Sequence, residues 1–238
     1  MSVLGIIGGM GPMATAYFLQ LIVQMTDAAT DQEHIEILVH SKPGIPDRTS
    51  YILGKSQDNP MPEMIEIGKK LADQGAGVLA IPCITAHYFQ KELEEFIGIP
   101  IINAIEETAD YLAQRHLCKV GIMATDGTIE SGIFQRELEK KNIEVVLPSK
   151  ENQKNVMYLI YENVKAGIKL DKTVFEKVSE ELFEKGAGVI LLGCTELSLM
   201  KRDDKLGDKY LDVMEVLARK AVLSCGKLAQ RYEELLFN

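Results

Sequence analysis

The chain has no tryptophan, only 6% aromatic residues, four cysteines and four histidines in 238 residues. No apolar run approaches the ~20 residues of a membrane-spanning helix, so no membrane partner is expected. The cysteines form no CxxC pair and no Cys/His cluster with zinc-ligand spacing, so a structural metal is not expected either. The opening Met1-Ser2-Val3-Leu4-Gly5-Ile6-Ile7 lacks the basic segment of a signal peptide. Four cysteines without such a leader read as reduced thiols in a cytoplasmic protein. Basic charge is also scarce: 26 Lys and Arg stand against 35 Asp and Glu, a net charge of −9. Neutralising phosphates needs clustered Lys and Arg, so a nucleic-acid partner is not expected. What remains is ordinary for a globular protein, 46% hydrophobic and 26% charged. The length suffices for one large domain or two moderate ones, with a core that needs no staples.

Against that plain background one pattern repeats. Gly75-Ala76-Gly77-Val78-Leu79 leads to Cys83, and Gly186-Ala187-Gly188-Val189-Ile190 leads to Cys194. The separation is 111 positions in both cases (75 to 186, 83 to 194), and Leu71 and Leu182 keep it too. Each stretch reads as a helix end, a glycine turn, a short apolar strand and a cysteine where the strand stops. A second echo joins the opening Val3-Leu4-Gly5 to Lys119-Val120-Gly121.

Short apolar runs alternate with longer amphipathic ones, the signature of an α/β protein with mainly parallel sheets. Strands are predicted at 3–7, 35–40, 78–81, 99–102, 119–123, 143–147 and 189–192. Helices are predicted at 12–28, 62–74, 86–96, 104–116, 131–141, 152–166, 170–185 and 213–236, with Thr85 as a cap of the third. The segment 41–60 holds three prolines and two glycines without helical period, and connections that long are more often functional than not. The expected architecture is two pseudo-symmetric lobes, 1–103 with 211–238 and 104–210. Each is a mainly parallel sheet flanked by helices. The active site is expected in the cleft between them, because ligands bind outside the carboxyl ends of parallel strands.

A cysteine after a buried strand is usually a small core residue, but two at matched positions of a repeat suggest opposed bases. Each would sit near a helix N-terminus, which favours thiolate over thiol; a thiolate can take a proton and a thiol can give one. Cys118 and Cys225 lack that setting and read as structural. Gly8-Gly9-Met10-Gly11-Pro12 suits close approach of a small anion to backbone N–H groups. It matches neither a dinucleotide fingerprint nor a P-loop. Thr125-Asp126-Gly127-Thr128 is its counterpart, or simply a capped loop. Arg48 in the long loop could grip a carboxylate with its planar fork, although spacing alone favours a surface arginine. Lys165 reads more simply as a lysine offsetting a helix C-terminus. Glu196 could serve the second thiol or be a first-turn helix acid. His87 more plausibly points into helix packing than pairs with Cys83.

The residues that carry these features also resemble a family. Gly8 to Pro12, Ile45-Pro46-Asp47-Arg48-Thr49 with Tyr51-Ile52-Leu53-Gly54-Lys55, Pro82-Cys83 with Thr85-Ala86-His87, Tyr161-Glu162, Val164-Lys165-Ala166-Gly167 and Gly193-Cys194-Thr195-Glu196 are similar to motifs of the cofactor-independent aspartate/glutamate racemases, within them the aspartate branch. The resemblance spans nearly the whole chain. It implies a homodimer without pyridoxal phosphate or metal, acting on a small-molecule amino acid, with aspartate the expected substrate. Cys83 and Cys194 would exchange the α-proton on opposite faces, and Arg48 and Lys165 would hold the distal carboxylate. Residues around Thr85 and Thr195 would hold the α-carboxylate and amine, with Met10, Gly11, Thr125, Thr128 and Glu196 completing the site. The family's first motif is normally Pro-Cys-Asn-Thr-Ala, and here Ile84 replaces the asparagine. Isoleucine cannot hydrogen-bond, which opens two alternatives: a broader or non-acidic amino-acid substrate, or a carboxylate-binding homologue with little turnover.

Overall fold

The computed structural model describes residues 2–168, 171–204, 206–229 and 235–236. In chain order, β1 (Val3–Gly8) leads to α1 (Pro12–Met25), whose proline occupies the first turn where no N–H is needed. β2 (Ile37–Ser41), the short α2 (Arg48–Ile52), α3 (Met61–Asp73) and β3 (Ala76–Ala80) follow. After Cys83 come a 3-10 helix (Ile84–Phe89), α4 (Gln90–Ile97) and α5 (Ala104–Gln114). The second half runs through β4 (Lys119–Met123), α6 (Asp126–Ser131), α7 (Ile133–Lys140), β5 (Glu144–Val146) and α8 (Lys150–Tyr158). A π-helix (Leu159–Val164), α9 (Lys172–Glu184), β6 (Val189–Leu192), α10 (Thr195–Asp204), β7 (Tyr210–Asp212) and α11 (Val213–Ser224) complete it.

The strands form two all-parallel sheets, β2-β1-β3 and β5-β4-β6-β7. β1, β2 and β3 therefore have the same neighbours as β4, β5 and β6. The repeated residues do the same work in both copies. A Cβ on Gly5 would lie 3.3 Å from Leu71 Cβ and 3.0 Å from Ala76 Cβ; one on Gly121 would lie 3.2 Å from Leu182 Cβ and 3.3 Å from Ala187 Cβ. Only glycine lets the helix before the third strand approach the first strand so closely. Gly75 and Gly186, with φ of +101° and +91°, make the tight reversals between that helix and strand.

Among the described residues the core divides into three apolar clusters. Leu4 and Ile6 of β1 share a central cluster with Val120 and Ile122 of β4, and with residues of α1, α5, α7 and α11. The alternate strand residues, Ile7 and Leu79 in one sheet and Met123 and Ile190 in the other, face two outer clusters that end at Cys83 and Cys194 respectively. α11 packs on α1 and α5, while α5 packs on α7. The helix that closes each half thus lies against the first helices of the other.

Several local expectations change. The strand predicted at 99–102 is reduced to one parallel bridge, Leu79 to Ile101, because Pro100 has no N–H to extend a ladder. β7, its counterpart, was not predicted. The helix predicted at 131–141 starts at Ile133, because Gly132, at φ +66°, separates it from α6, which was not predicted, and the long loop contains α2. The helix predicted at 86–96 begins as a 3-10 turn at Ile84, so Thr85 lies inside it and caps nothing. The helix predicted at 213–236 ends at Ser224, and its tail at 230–234 falls outside the described residues, as does Leu170 of the helix predicted at 170–185.

Candidate active site

The carboxyl ends of the strands open into two adjoining cavities. The outer one, about 400 Å³, is lined by Gly9 to Ala14, Pro43, Ile45, Val164 and Leu199. The inner one is bounded by Cys83, Ile84 and Thr85 after β3, Thr125 after β4, and Cys194 and Thr195 after β6. Met10, Asp47, Arg48, Tyr161, Lys165 and Glu196 stand on both. The inner chamber has about 10 Å³ of free space, room for about one water.

Both repeat cysteines are buried, free thiols on this chamber. Cys194 Sγ donates to Glu196 Oε2 at 2.9 Å, and Thr195 Oγ1 donates to the same oxygen at 3.4 Å. Burial first, and the Glu196 carboxylate second, push the Cys194 thiol well above its ordinary value. At this position desolvation and a neighbouring carboxylate outweigh the pull of the α10 N-terminus towards thiolate, so of the expected thiolate and thiol this cysteine has the setting of the thiol. Glu196 meets both descriptions open to it, a first-turn acid of α10 and a partner of the thiol.

Cys83 faces a different partner. Arg48 is buried, only 7% exposed, which corrects the surface arginine that spacing favoured. Its Nη1 donates to the carbonyls of Ile45 (3.2 Å) and Pro46 (2.9 Å), which fix the guanidinium from its own loop. Burial would lower its pKa, but the neighbouring Cys83 sulfur first and the charge of Asp47 next raise it. Arg48 Nε is buried without a hydrogen-bond partner among the described residues. Asp47 caps α2 through Ser50 N at 2.8 Å. Although burial opposes ionisation, those bonds to Ser50 and the charges of Lys165 and Arg48 hold its carboxyl below the usual value.

Lys165 also departs from its simpler reading. The π-turn before it (Lys165 N to Ile160 O, 3.0 Å) carries Tyr161 and Lys165 to the cavity wall, the ammonium 4.0 Å from the Tyr161 ring centre. Burial opposes its charge, yet Glu196, Cys194, Tyr161 and Cys83 together raise its pKa. Tyr161 donates to Asp47 Oδ2 at 3.1 Å, tying this segment to the loop of Arg48.

Thr85 and Thr125 line the inner chamber and share a triangle of hydroxyls with Thr128, which lines neither cavity. Thr85 Oγ1 lies 2.9 Å from Thr125 Oγ1 and 3.0 Å from Thr128 Oγ1, which are 3.1 Å apart. Thr125 also caps α6 by accepting from Thr128 N at 3.2 Å. This triangle joins the end of β3 to the end of β4. A second close contact supports it: a Cβ on Gly127 would lie 2.8 Å from Thr49 Cα, so glycine allows α2 and α6 to touch. Gly11 borders the outer cavity, 3.6 Å from Glu196 Oε1 measured to a Cβ placed there, and Met10 reaches both cavities.

His87 is fully buried with Nε2 at 3.2 Å from Ile81 O, and burial lowers its pKa to about 4. It lines neither cavity. Cys118 is exposed and Cys225 ends α11, both away from the chamber. Among the described residues no cluster of His, Cys, Asp or Glu could hold a metal, and no helix is long and apolar enough to cross a membrane. Asp47 and Tyr161 received no role from the sequence. The signals were present: an acid next to Arg48, and an aromatic four residues before Lys165, one helical turn away.

A family model described as Asp/Glu/Hydantoin racemase matches residues 7–221. The chain belongs to that family. The broad specificity amino-acid racemase RacX of Bacillus subtilis is 26% identical over 235 residues, 92% of this chain and 96% of its own. The aspartate racemase of Picrophilus torridus superposes with a TM-score of 0.83 at 28% identity, covering 98% of this chain and 97% of that one. An aspartate racemase homologue from Pyrococcus horikoshii, at 22% identity, shares the fold with a TM-score of 0.76 over 95% of this chain and all of its own. As a racemase of this family the chain is an enzyme of the amino-acid racemase class.

Proposed function

We propose that this racemase inverts the α-carbon of a free amino acid, aspartate in the first place, by two-base proton transfer between Cys83 and Cys194. No pyridoxal phosphate or metal takes part. The observation that carries the reading is that two buried thiols from equivalent strand ends line one inner chamber. Their settings differ in the sense the chemistry needs. Cys194 holds its proton against Glu196, ready to deliver it. Cys83 lies beside the Arg48 guanidinium, a positive partner for the sulfur when it carries negative charge. The α-carbon loses its proton to one thiol and gains one from the other, and the two thiols exchange roles for the opposite enantiomer.

The unpartnered Arg48 Nε favours an acidic substrate, because a buried donor left without an acceptor costs about 1–3 kcal/mol. A distal carboxylate between Arg48 and Lys165 supplies one. The hydroxyls of Thr85, Thr125 and Thr195 are donors for the α-carboxylate, and Thr128 holds the first two in place from behind. Binding parts the chamber walls, since the free space at rest is too small for an amino acid. Enclosure then excludes water from the carbanionic centre. The lobes we assign, 1–103 with 211–238 and 104–210, meet at this chamber, and a homodimer is the assembly expected for it.

A second reading, a non-acidic or broad amino-acid substrate, has its own support. Ile84 fills the chamber wall, and the charges of Asp47 and Glu196 balance those of Arg48 and Lys165. A zwitterion with no net charge suits that balance. The name of RacX points the same way. The test is racemisation of an amino-acid panel by the wild type and by Cys83→Ser and Cys194→Ser. Loss of turnover in each variant supports paired thiols, and full activity in both sinks them. Turnover of aspartate alone removes the second reading; binding without exchange would leave only a carboxylate-binding homologue.

A further inference from the structure

Away from the chamber, α10 and α11 are laced by two polar contacts three residues apart. Ser198 Oγ donates to Asp212 Oδ1 at 2.6 Å, and Lys201 Nζ meets Glu215 Oε2 at 2.7 Å. Ser198 and Lys201 stand on successive turns of α10, the helix whose first turn carries Thr195 and Glu196 immediately after Cys194. Asp212 and Glu215 begin α11, and Asp212 Oδ1 also accepts from Met214 N at 2.8 Å as its cap. Ser198 and Asp212 are both completely buried, and Asp212 Oδ2 has no hydrogen-bond partner among the described residues.

An ionisable group in a dry core is costly where a neutral cap would serve. The other half of the molecule uses such a cap: Asn103 begins α5 by accepting from Ile105 N and Glu106 N, bonds that stay within its own helix. The carboxylate at 212 therefore does something a cap alone does not require. It reaches across to α10, one turn beyond the thiol-bearing end.

We propose that Asp212, through Ser198, is a positioning residue for Cys194 and Glu196, and that the charge state of Asp212 sets how firmly α10 holds them. The charged groups facing Asp212 are Lys201 from α10 and Glu215 from α11. Burial first, then repulsion from Glu215, raise its pKa to about 7, with Lys201, Ser198 and Met214 N acting against them. Above that pH the carboxylate takes a charge-assisted bond from Ser198, stronger than the bond a neutral carboxyl accepts. Below it, α10 is held mainly by Lys201 and Glu215.

The inference rests on the racemase reading only for what Cys194 does, and its test does not need turnover. Alkylation by iodoacetamide, followed separately at Cys83 and Cys194 by peptide mass spectrometry, is measured from pH 5 to 9 in the full-length wild type, in Asp212→Asn and in Ser198→Ala. Asn keeps the cap and the volume but cannot ionise. The expected result is an inflection near neutral pH in the Cys194 profile that both variants lose while the Cys83 profile is unchanged. If racemisation is observed, kcat falls roughly ten- to a hundredfold in Ser198→Ala with KM little altered, the scale of a misplaced catalytic group. A wild-type inflection retained in Asp212→Asn overturns the proposal, as do equal changes at both cysteines, which would report general loosening. Should neither cysteine prove necessary for turnover, the racemase mechanism fails while the alkylation result still decides the positioning role.

Discussion

Replacing Glu196 by Gln keeps the shape of the side chain and removes the charge that Cys194 faces. In the structure this carboxylate accepts from the Cys194 thiol at 2.9 Å, helps to raise the thiol's pKa, and is the largest attraction holding the Lys165 charge. A hydrogen bond to a charged partner contributes about 1.5–3 kcal/mol, and about 1.4 kcal/mol is a factor of ten. If that bond aims the sulfur at the α-carbon, kcat falls about ten- to a hundredfold. The electrostatic effect is separate and has its own sign. With the anion gone, the Cys194 pKa moves down towards its ordinary value, held up only by burial. Cys194 alkylation at neutral pH therefore becomes faster in the variant although racemisation becomes slower. Peptide-resolved alkylation across pH, alongside racemisation followed by circular dichroism, separates the two effects. Cys194 alkylation that is unchanged or slower would refute the pairing of thiol and carboxylate.

Three further outcomes follow from the same geometry. Thr85→Val removes the hydroxyl that touches both Thr125 and Thr128 while leaving those two paired; KM measured for the racemised amino acid rises more than kcat falls. Gly127→Ala puts a methyl group 2.8 Å from the Thr49 backbone and parts α2 from α6. Overpacking of this kind costs about 1–3 kcal/mol, roughly 2–12 °C in Tm for a chain of this size, and displacement of Arg48 lowers activity even at temperatures where the variant is folded. Glu181 accepts from Ser149 N at 2.7 Å and Ser149 Oγ at 3.0 Å, and also from Asn152 and Lys185. Burial opposes, but these partners lower its pKa from 4.5 to about 2. The stabilisation is complete above about pH 4.5 and is lost as pH falls to about 2, so Glu181→Gln lowers Tm at pH 7 and the difference from wild type shrinks through that window.

The sequence made the repeat legible because close packing wrote it into residue types. Gly5 and Gly121, Leu71 and Leu182, and Ala76 and Ala187 recur because the same helix approaches the same strand twice. The cysteines were legible for the same reason, each ending a buried strand. What the sequence concealed was the state of each site residue. Arg48 and Lys165 looked like surface cations because their loop and helix end are exposed elements by pattern. Only the carbonyls of Ile45 and Pro46, and the π-turn before Lys165, bring them into the chamber. Thr85 looked like a cap, yet its hydroxyl meets two threonines some forty residues away, a contact that no local pattern encodes. Which cysteine has the setting of a thiol was not legible, because a local helix-end argument treats both alike and weighs neither burial nor a carboxylate two residues on. β7 is three residues long and too short to carry a period.

The most direct test of the two-thiol account is the fate of deuterium in the first moments of turnover. Each enantiomer of the substrate is supplied separately in D2O, and recovered substrate and product are analysed by mass spectrometry before a tenth of the substrate has reacted. With opposed thiols, one removes the proton and the other delivers a deuteron, so product carries deuterium while recovered substrate stays protiated, in both directions. Deuterium appearing equally in recovered substrate and product would mean that one group serves both faces, and would contradict the account.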